Sequence, residues 1–222
     1  MKTVLTALAL GMVHASLWAQ GTPATPPSQE SVAPQPAAPE SGVRPVKFLL
    51  GIGITGGGDT LATATYTDGS TQSITAGGLV FLKLGADWQI NPNFSAQGTL
   101  GFHRDATYAK NGDLTFERNF VEGLGFWHFL PKHRIGLGLR QTSGAKLSSS
   151  GAAASVGNYE FNSSLGKVLE YEWMISRTGR VGFGLTFRLV NEKYSVKSIN
   201  GAPASGPDIN GSHAGIGFNV YF

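Results

Sequence analysis

The chain has 222 residues, no cysteine, 31 glycines and only 14% charged residues, with a formal net charge of +3. Without cysteines there is no disulfide framework, and so small a positive excess excludes the basic footprint of a nucleic-acid binder. The mean hydropathy of -0.03 is what results when strongly apolar and polar positions alternate and cancel.

Met1-Lys2-Thr3 opens a basic start, and Val4–Val13 is apolar apart from Thr6, with small residues at Ala15 and Ala19 where a cut can follow. Residues 1–19 read as a secretory signal peptide, too short to span a bilayer. Residues 20–45 hold repeated X-Pro steps without periodicity and read as an extended Pro-rich linker. No later stretch reaches the roughly 18 apolar residues of a membrane helix.

From Val46 the sequence breaks into runs of period-two alternation, the pattern of strands with two unlike faces. The first is Val46–Thr55, with Phe48, Leu50, Ile52 and Ile54 on one face. Leu79–Ile90 sets Leu82, Leu84 and Trp88 against Lys83, Asp87 and Gln89, and Asn91-Pro92-Asn93 turns the chain into Phe94–His103. Asn111-Gly112 is the next turn signal. Phe116–Leu130 is apolar on both faces, and Pro131-Lys132-His133 leads into Ile135–Arg140. A sixth run, Tyr159–Ile175, sets Phe161, Leu165, Leu169, Tyr171 and Trp173 against Glu160, Asn162, Glu170 and Glu172. The seventh, Val181–Glu192, alternates Phe183, Leu185, Phe187 and Leu189 with Gly182, Gly184, Thr186 and Arg188. The eighth, Gly211–Phe222, ends the chain on an aromatic.

The intervals between these eight runs alternate long and short: Gly56–Gly77, Asn91–Asn93, Arg104–Asp113, Pro131–His133, Ser143–Asn158, Ser176–Gly179 and Ser195–Gly211. Short turns on one side and long loops on the other define an all-β, eight-stranded antiparallel up-and-down transmembrane β-barrel over residues 46–222. Both termini then lie on the short-turn side, which is the periplasmic side of a bacterial outer membrane. A lipocalin-type soluble barrel would hide its apolar face and show its polar one. Here the charges share parity with the glycines, and most large apolar residues share the other.

That parity sends Lys83, Asp87, His103, Arg118, Glu122, Arg140, Glu170, Glu172, Arg188 and Glu192 into the lumen. Eight strands leave room for side chains but not for an open pore. Buried charges have to pair, so a closed lumen laced with Arg–Glu and Lys–Asp pairs is expected. Lys167 falls on the lipid parity and is expected to snorkel or to mark a bulge.

Phe120–Phe129 followed by Arg134–Arg140 is similar to the central hairpin of the small outer-membrane β-barrel domain family, the OmpA/OmpX-type barrels. Phe161–Tyr194 and the terminal Phe222 extend the resemblance over about residues 46–222. The alternating Ile216, Phe218, Val220 and Phe222 resemble the sorting signal read by the barrel-assembly machinery. The resemblance implies a non-catalytic barrel with a structural or surface-interaction role. It implies contact with outer-membrane lipid and lipopolysaccharide, and an extracellular partner for the long loops. A narrow passive channel for small solutes is the alternative, and a lipid A-modifying enzyme the third reading.

No motif requires a cofactor or metal. Gly51–Gly56 matches G-x-G-x-x-G, with Asp68 downstream, but strand-prone threonines follow instead of the helix a dinucleotide site needs. His128 and His133 lack a second ligand pair and read as interface residues. His213, Glu192 and a loop serine form a catalytic set only on paper, since such a set is defined by geometry. Leu61–Tyr66 and Thr71–Thr75 alternate, and are expected to extend the first two strands beyond the membrane as a hairpin.

Overall fold

The computed structural model describes residues 46–65, 69–109, 112–176 and 181–222. Residues 1–45, read above as a signal peptide and linker, lie outside the described residues, as do Tyr66, Asp68, Asn111 and most of the turn after Ser176. Eight long strands follow in order: β1 (Val46–Gly57), β2 (Leu79–Asn91), β3 (Phe94–Ala109), β4 (Gly112–Leu130), β5 (His133–Ser149), β6 (Ser164–Ser176), β7 (Gly182–Asn191) and β8 (His213–Tyr221). Each pairs antiparallel with the next. β8 returns to β1 in the register Leu49↔Tyr221 to Gly57↔His213, which closes the ring. Closure leaves no unpaired edge along the span, the condition for sheet structure in hydrocarbon.

The pleat sorts the sequence as its alternation requires. Phe48, Ile52, Leu84, Leu100, Val121, Leu137, Leu165 and Leu189 are exposed on the outer wall, whereas Phe81, Lys83, Glu122, Arg140 and Glu170 are buried inside. Trp88, Trp127 and Trp173 are exposed near the short turns, where an aromatic girdle meets the interface. β4, apolar on both faces in sequence, divides into outward Val121 and Trp127 and inward Phe120, Leu124 and Phe126.

A tilted strand crosses the apolar layer in about 10 residues. β3, β4 and β5 have 16, 19 and 17, so they project beyond it on the long-loop side. The alternation in the sequence predicts a third run ending at His103, a fourth starting at Phe116 and a fifth ending at Arg140. Residues 104–109, 112–115 and 141–149 are strand as well, because Leu114, Phe116, Ala145 and Leu147 bury into an apolar cluster above the lumen.

The sixth run needs a second correction. It is two pieces, Tyr159–Phe161 and β6, separated at Asn162, whose side-chain amide donates to Ser195 Oγ at 3.1 Å. Tyr159–Phe161 pairs with β5 at Lys146 and Leu147 and with the strand Val196–Ile199. Phe161, assigned outward by parity, instead buries against Phe116 and Tyr194, with ring centroids 5.8 and 6.1 Å away.

The first long loop also departs from the reading. Thr60–Thr65 and Thr71–Thr75 pair with each other as a separate two-stranded sheet and do not continue β1 and β2. Gly57 and Gly58, at φ 125° and 76°, make the turn that L side chains resist. The hairpin thereby brings Ile74 and Ala76, both fully buried, onto the cluster. Burying one isoleucine is worth roughly 1.5–3 kcal/mol.

Candidate functional site

The interior is a two-tier ion-pair network. In the tier near the short turns, Arg134 at the start of β5 is the hub. Its Nε donates to Glu172 at 2.7 Å, Nη1 to Asp87 at 2.8 Å and Ser95 at 3.0 Å, and Nη2 to Gln97 at 3.2 Å and Tyr221 at 2.7 Å. Glu172 also accepts from Tyr221 Oη at 2.7 Å and from the Asn219 amide at 3.0 Å. His128, expected at the interface, is buried here with Nε2 2.9 Å from Ser95 Oγ, because its parity on β4 is inward.

The second tier crosses the middle of the barrel. Lys83 Nζ donates to both oxygens of Glu170 at 3.2 Å. Arg188 pairs with Glu122 and lies 3.8 Å from Glu170. Arg140 bridges Glu122 at 3.4 Å and Glu192 at 3.6 Å, and Arg118 stands 4.0 Å from Glu192. All nine charges placed inside by parity are buried there. Arg134, the most connected of the arginines, escapes the parity reading because it falls between the Pro131–His133 turn and the run counted from Ile135. Its signal was a shared parity with Gly136, Gly138 and Arg140.

Each buried arginine also lies over an inward phenylalanine. Arg134 sits 4.0 Å above Phe126, Arg140 4.0 Å above Phe120, Arg188 5.0 Å above Phe81 and Arg118 5.0 Å above Phe116. A desolvated guanidinium on an aromatic face gains about 2 kcal/mol, which offsets part of the cost of taking the charge out of water. The lumen is thus filled by stacked rings and cations as well as by ion pairs.

Above the second tier, Thr55 Oγ1 donates to Gly77 O at 2.6 Å and lies 2.7 Å from His103 Nε2. Since the hydroxyl proton is committed to Gly77, His103 Nε2 is the donor and Nδ1 accepts from Arg118 Nη2 at 2.8 Å. Tyr194 Oη donates to Glu192 at 2.5 Å, and Thr142 Oγ1 donates to the same carboxylate at 2.7 Å. Burial pushes the Tyr194 phenol above its ordinary pKa, against the opposing pull of Arg118. The apolar cluster of Ile74, Leu114, Phe116, Leu147, Phe161 and Tyr194 closes the mouth over these groups.

The other motifs resolve structurally. Gly51–Gly56 lies wholly in β1, where a side chain at Gly51 would collide with Lys83 and Asn219. His213 Nδ1 is 2.8 Å from Gly211 O and 3.8 Å from Glu192, while Ser212 Oγ donates to the Glu192 carbonyl at 3.4 Å. These three make no serine–histidine–acid relay. His133 Nδ1 lies 2.6 Å from Tyr171 Oη on the outer wall. Lys167 faces outward without a bulge, opposite Leu139 and Asn191. On β8, Ile216 and Phe218 are exposed on the outer wall with Val220 half-buried beside them, and Phe222, just past its end, is exposed too.

These features define an eight-stranded transmembrane barrel of the OmpA/OmpX architectural type, with a filled lumen and a capped mouth. The chain matches no family profile and no curated protein. Among solved structures it is similar to the outer-membrane protein AlkL in lipid bilayers, at 10% identity and TM-score 0.48, covering 86% of this chain and 97% of that one. It is similar to Ail, the attachment invasion locus protein of Yersinia pestis, at 11% identity and TM-score 0.43, covering 80% and 97%. OprG of Pseudomonas aeruginosa follows at 14% and 0.40, covering 79% and 95%.

Proposed function

We propose that this protein is a non-catalytic, non-conducting integral barrel of the bacterial outer membrane, with both termini periplasmic and a structural or surface-interaction role. The observation that carries this reading is the cross-barrel contact of Lys83 with Glu170 at 3.2 Å beneath the apolar cap. A path for ions has to break both. The projecting strands and the folded loops present the surface on which an extracellular partner would dock, since recognition concentrates on loops held by a rigid scaffold. The outward Ile216, Phe218, Val220 and Phe222 support recognition of β8 by the barrel-assembly machinery.

The test is single-channel recording of the refolded mature protein in planar bilayers. Silence is the expected result. Steady openings overturn it in favour of a narrow passive channel, and neutralising Arg140, Arg188 or Glu170 should then change ion selectivity.

A further inference from the structure

On the outer wall, one row of cross-strand neighbours runs from Leu169 on β6 through Leu189 on β7 and Ala214 on β8 to Gly56 on β1. The side chains shrink from leucine to alanine to none, so the wall is tall on its β6–β7 side and recessed on its β8–β1 side. The recess is a hollow of about 640 Å³, with Ile54, Gly56, Leu189, Ala214 and Ile216 in its lining. Gly56 is exposed, its φ lies outside the left-handed region, and a side chain built on it would meet nothing within 4 Å. Neither backbone strain nor a close approach within the chain demands glycine there.

The rim above this row carries charge in the same lateral order. Lys193, on the β7 side, lies opposite Asn210. Asp59, on the β1 side, holds Asn210 from the other flank: its N–H donates to the Asn210 carbonyl at 2.7 Å, and its carboxylate accepts the Asn210 N–H at 2.8 Å. Lys193 and Asp59 are both exposed, two strand spacings or roughly 10 Å apart. Among the described residues neither has an oppositely charged side chain within ion-pair distance.

Such a wall is complementary to itself. A two-fold axis along the membrane normal, placed over Ala214 and Asn210, turns β7 of one copy toward β1 of the other, and does so twice. Leu189 and Asn191 then face the recess at Gly56, and Lys193 faces Asp59, in both halves of the contact. Apolar surfaces gain little by leaving lipid, so association in a membrane depends on close packing and on polar partners. The recess lets the backbones approach, and the rim supplies the polar partners. An acyl chain fills the recess but leaves Asp59 unmatched, and an anionic headgroup is repelled by it; a second copy answers both signs. We infer that β7, β8 and β1 form the interface of a two-fold symmetric homodimer in the membrane. The same axis serves whichever side of the membrane the long loops face.

The chain has no cysteine, so a single introduced thiol reports the contact cleanly. Ala214→Cys, on the axis, and Val121→Cys, exposed on β4 across the ring, are refolded into dilute phosphatidylcholine vesicles and treated with a short bis-maleimide. Heat-modifiability on gels confirms that each variant is folded. A214C should cross-link to a dimer and V121C should not. Adding G56W to A214C fills the recess and should abolish the dimer. With A214C as reporter, D59K and K193D should each dimerise roughly tenfold less well, because two symmetric pairs turn repulsive at once. An equimolar mixture of those two chains restores both pairs and should regain the A214C level. Equal cross-linking of A214C and V121C overturns the inference. So does the absence of any dimer, a G56W protein that still dimerises, or a mixture no better than its parts. None of these readouts depends on whether the lumen conducts.

Discussion

Lys83 and Glu170 meet at 3.2 Å in the middle of the lumen, and they belong to β2 and β6, strands four places apart in a ring of eight. The contact therefore spans a diameter. Pairs between neighbouring strands, such as Glu122 and Arg140, stiffen a wall, but this one joins opposite walls and blocks the centre.

Removing one partner leaves the other charge buried and uncompensated. Lys83→Met alone should destabilise the folded barrel by roughly 3–5 kcal/mol. The double variant K83M/E170L should recover most of that loss, because an apolar pair of similar volume carries no desolvation cost. Urea unfolding in lipid vesicles, followed by tryptophan fluorescence, measures both. A double variant as unstable as the single one would remove the ion pair from the argument.

Arg134 holds the lower tier through geometry as well as charge. Arg134→Lys keeps the charge but cannot reproduce donation to Glu172, Asp87, Ser95, Gln97 and Tyr221 at once. A loss of about 2–3 kcal/mol is expected in the same assay, from several charge-assisted hydrogen bonds left unmade. Unchanged stability in R134K would mean that one point charge is enough.

Ile74 holds the cap to the projecting strands. Ile74→Asp places an unpaired carboxylate in the apolar cluster, so the hairpin Thr60–Thr65/Thr71–Thr75 should lift. Protease should then cut the first long loop rapidly, while the barrel keeps its heat-modifiable mobility. Wild-type resistance in this variant would show that the cap is held elsewhere, for instance by the Thr75 N–H on Asp105 at 2.9 Å.

Tyr194 supplies a pH signature. Its pKa is raised in the folded protein by burial, so the neutral phenol favours the fold fully at pH values below about 10, the unfolded value. As pH rises past that point the unfolded chain ionises first, and stability falls until the folded phenol also titrates. The difference in stability between wild type and Tyr194→Phe should be flat up to about pH 10 and shrink above it. A difference already sloping near neutrality would indicate another titrating group.

The barrel was legible in sequence because a lipid-facing wall and a charged interior give every strand the same two-fold rhythm. Lys83, Glu122 and Arg188 could be placed by parity alone, without knowing which partner each would meet. The partners were not legible: Lys83 to Glu170 is a relation across the ring, and alternation along a strand carries no information about the opposite wall. Arg134 is hidden because it stands between the Pro131–His133 turn and the alternation that becomes visible from Ile135. The cap was missed for a different reason. Phe116, Phe161 and Ile74 become core only when the projecting end of β4, the short strand Tyr159–Phe161 and the hairpin of the first long loop come together, and each alone looks like one more alternating position.

The balance inside the lumen bears on the barrel's response to voltage. Lys83, Arg118, Arg134, Arg140 and Arg188 are matched by Asp87, Glu122, Glu170, Glu172 and Glu192. A membrane potential does work on charge that moves, about 2.3 kcal/mol per elementary charge at 100 mV. Here opposite charges are tied within a few ångströms of one another; the lower tier taken alone is one negative charge in excess and the second one positive, so a shift of the two together as a unit would carry almost no net charge through the field. The plug therefore offers no gating charge, and an applied voltage within the physiological range should neither open nor distort it.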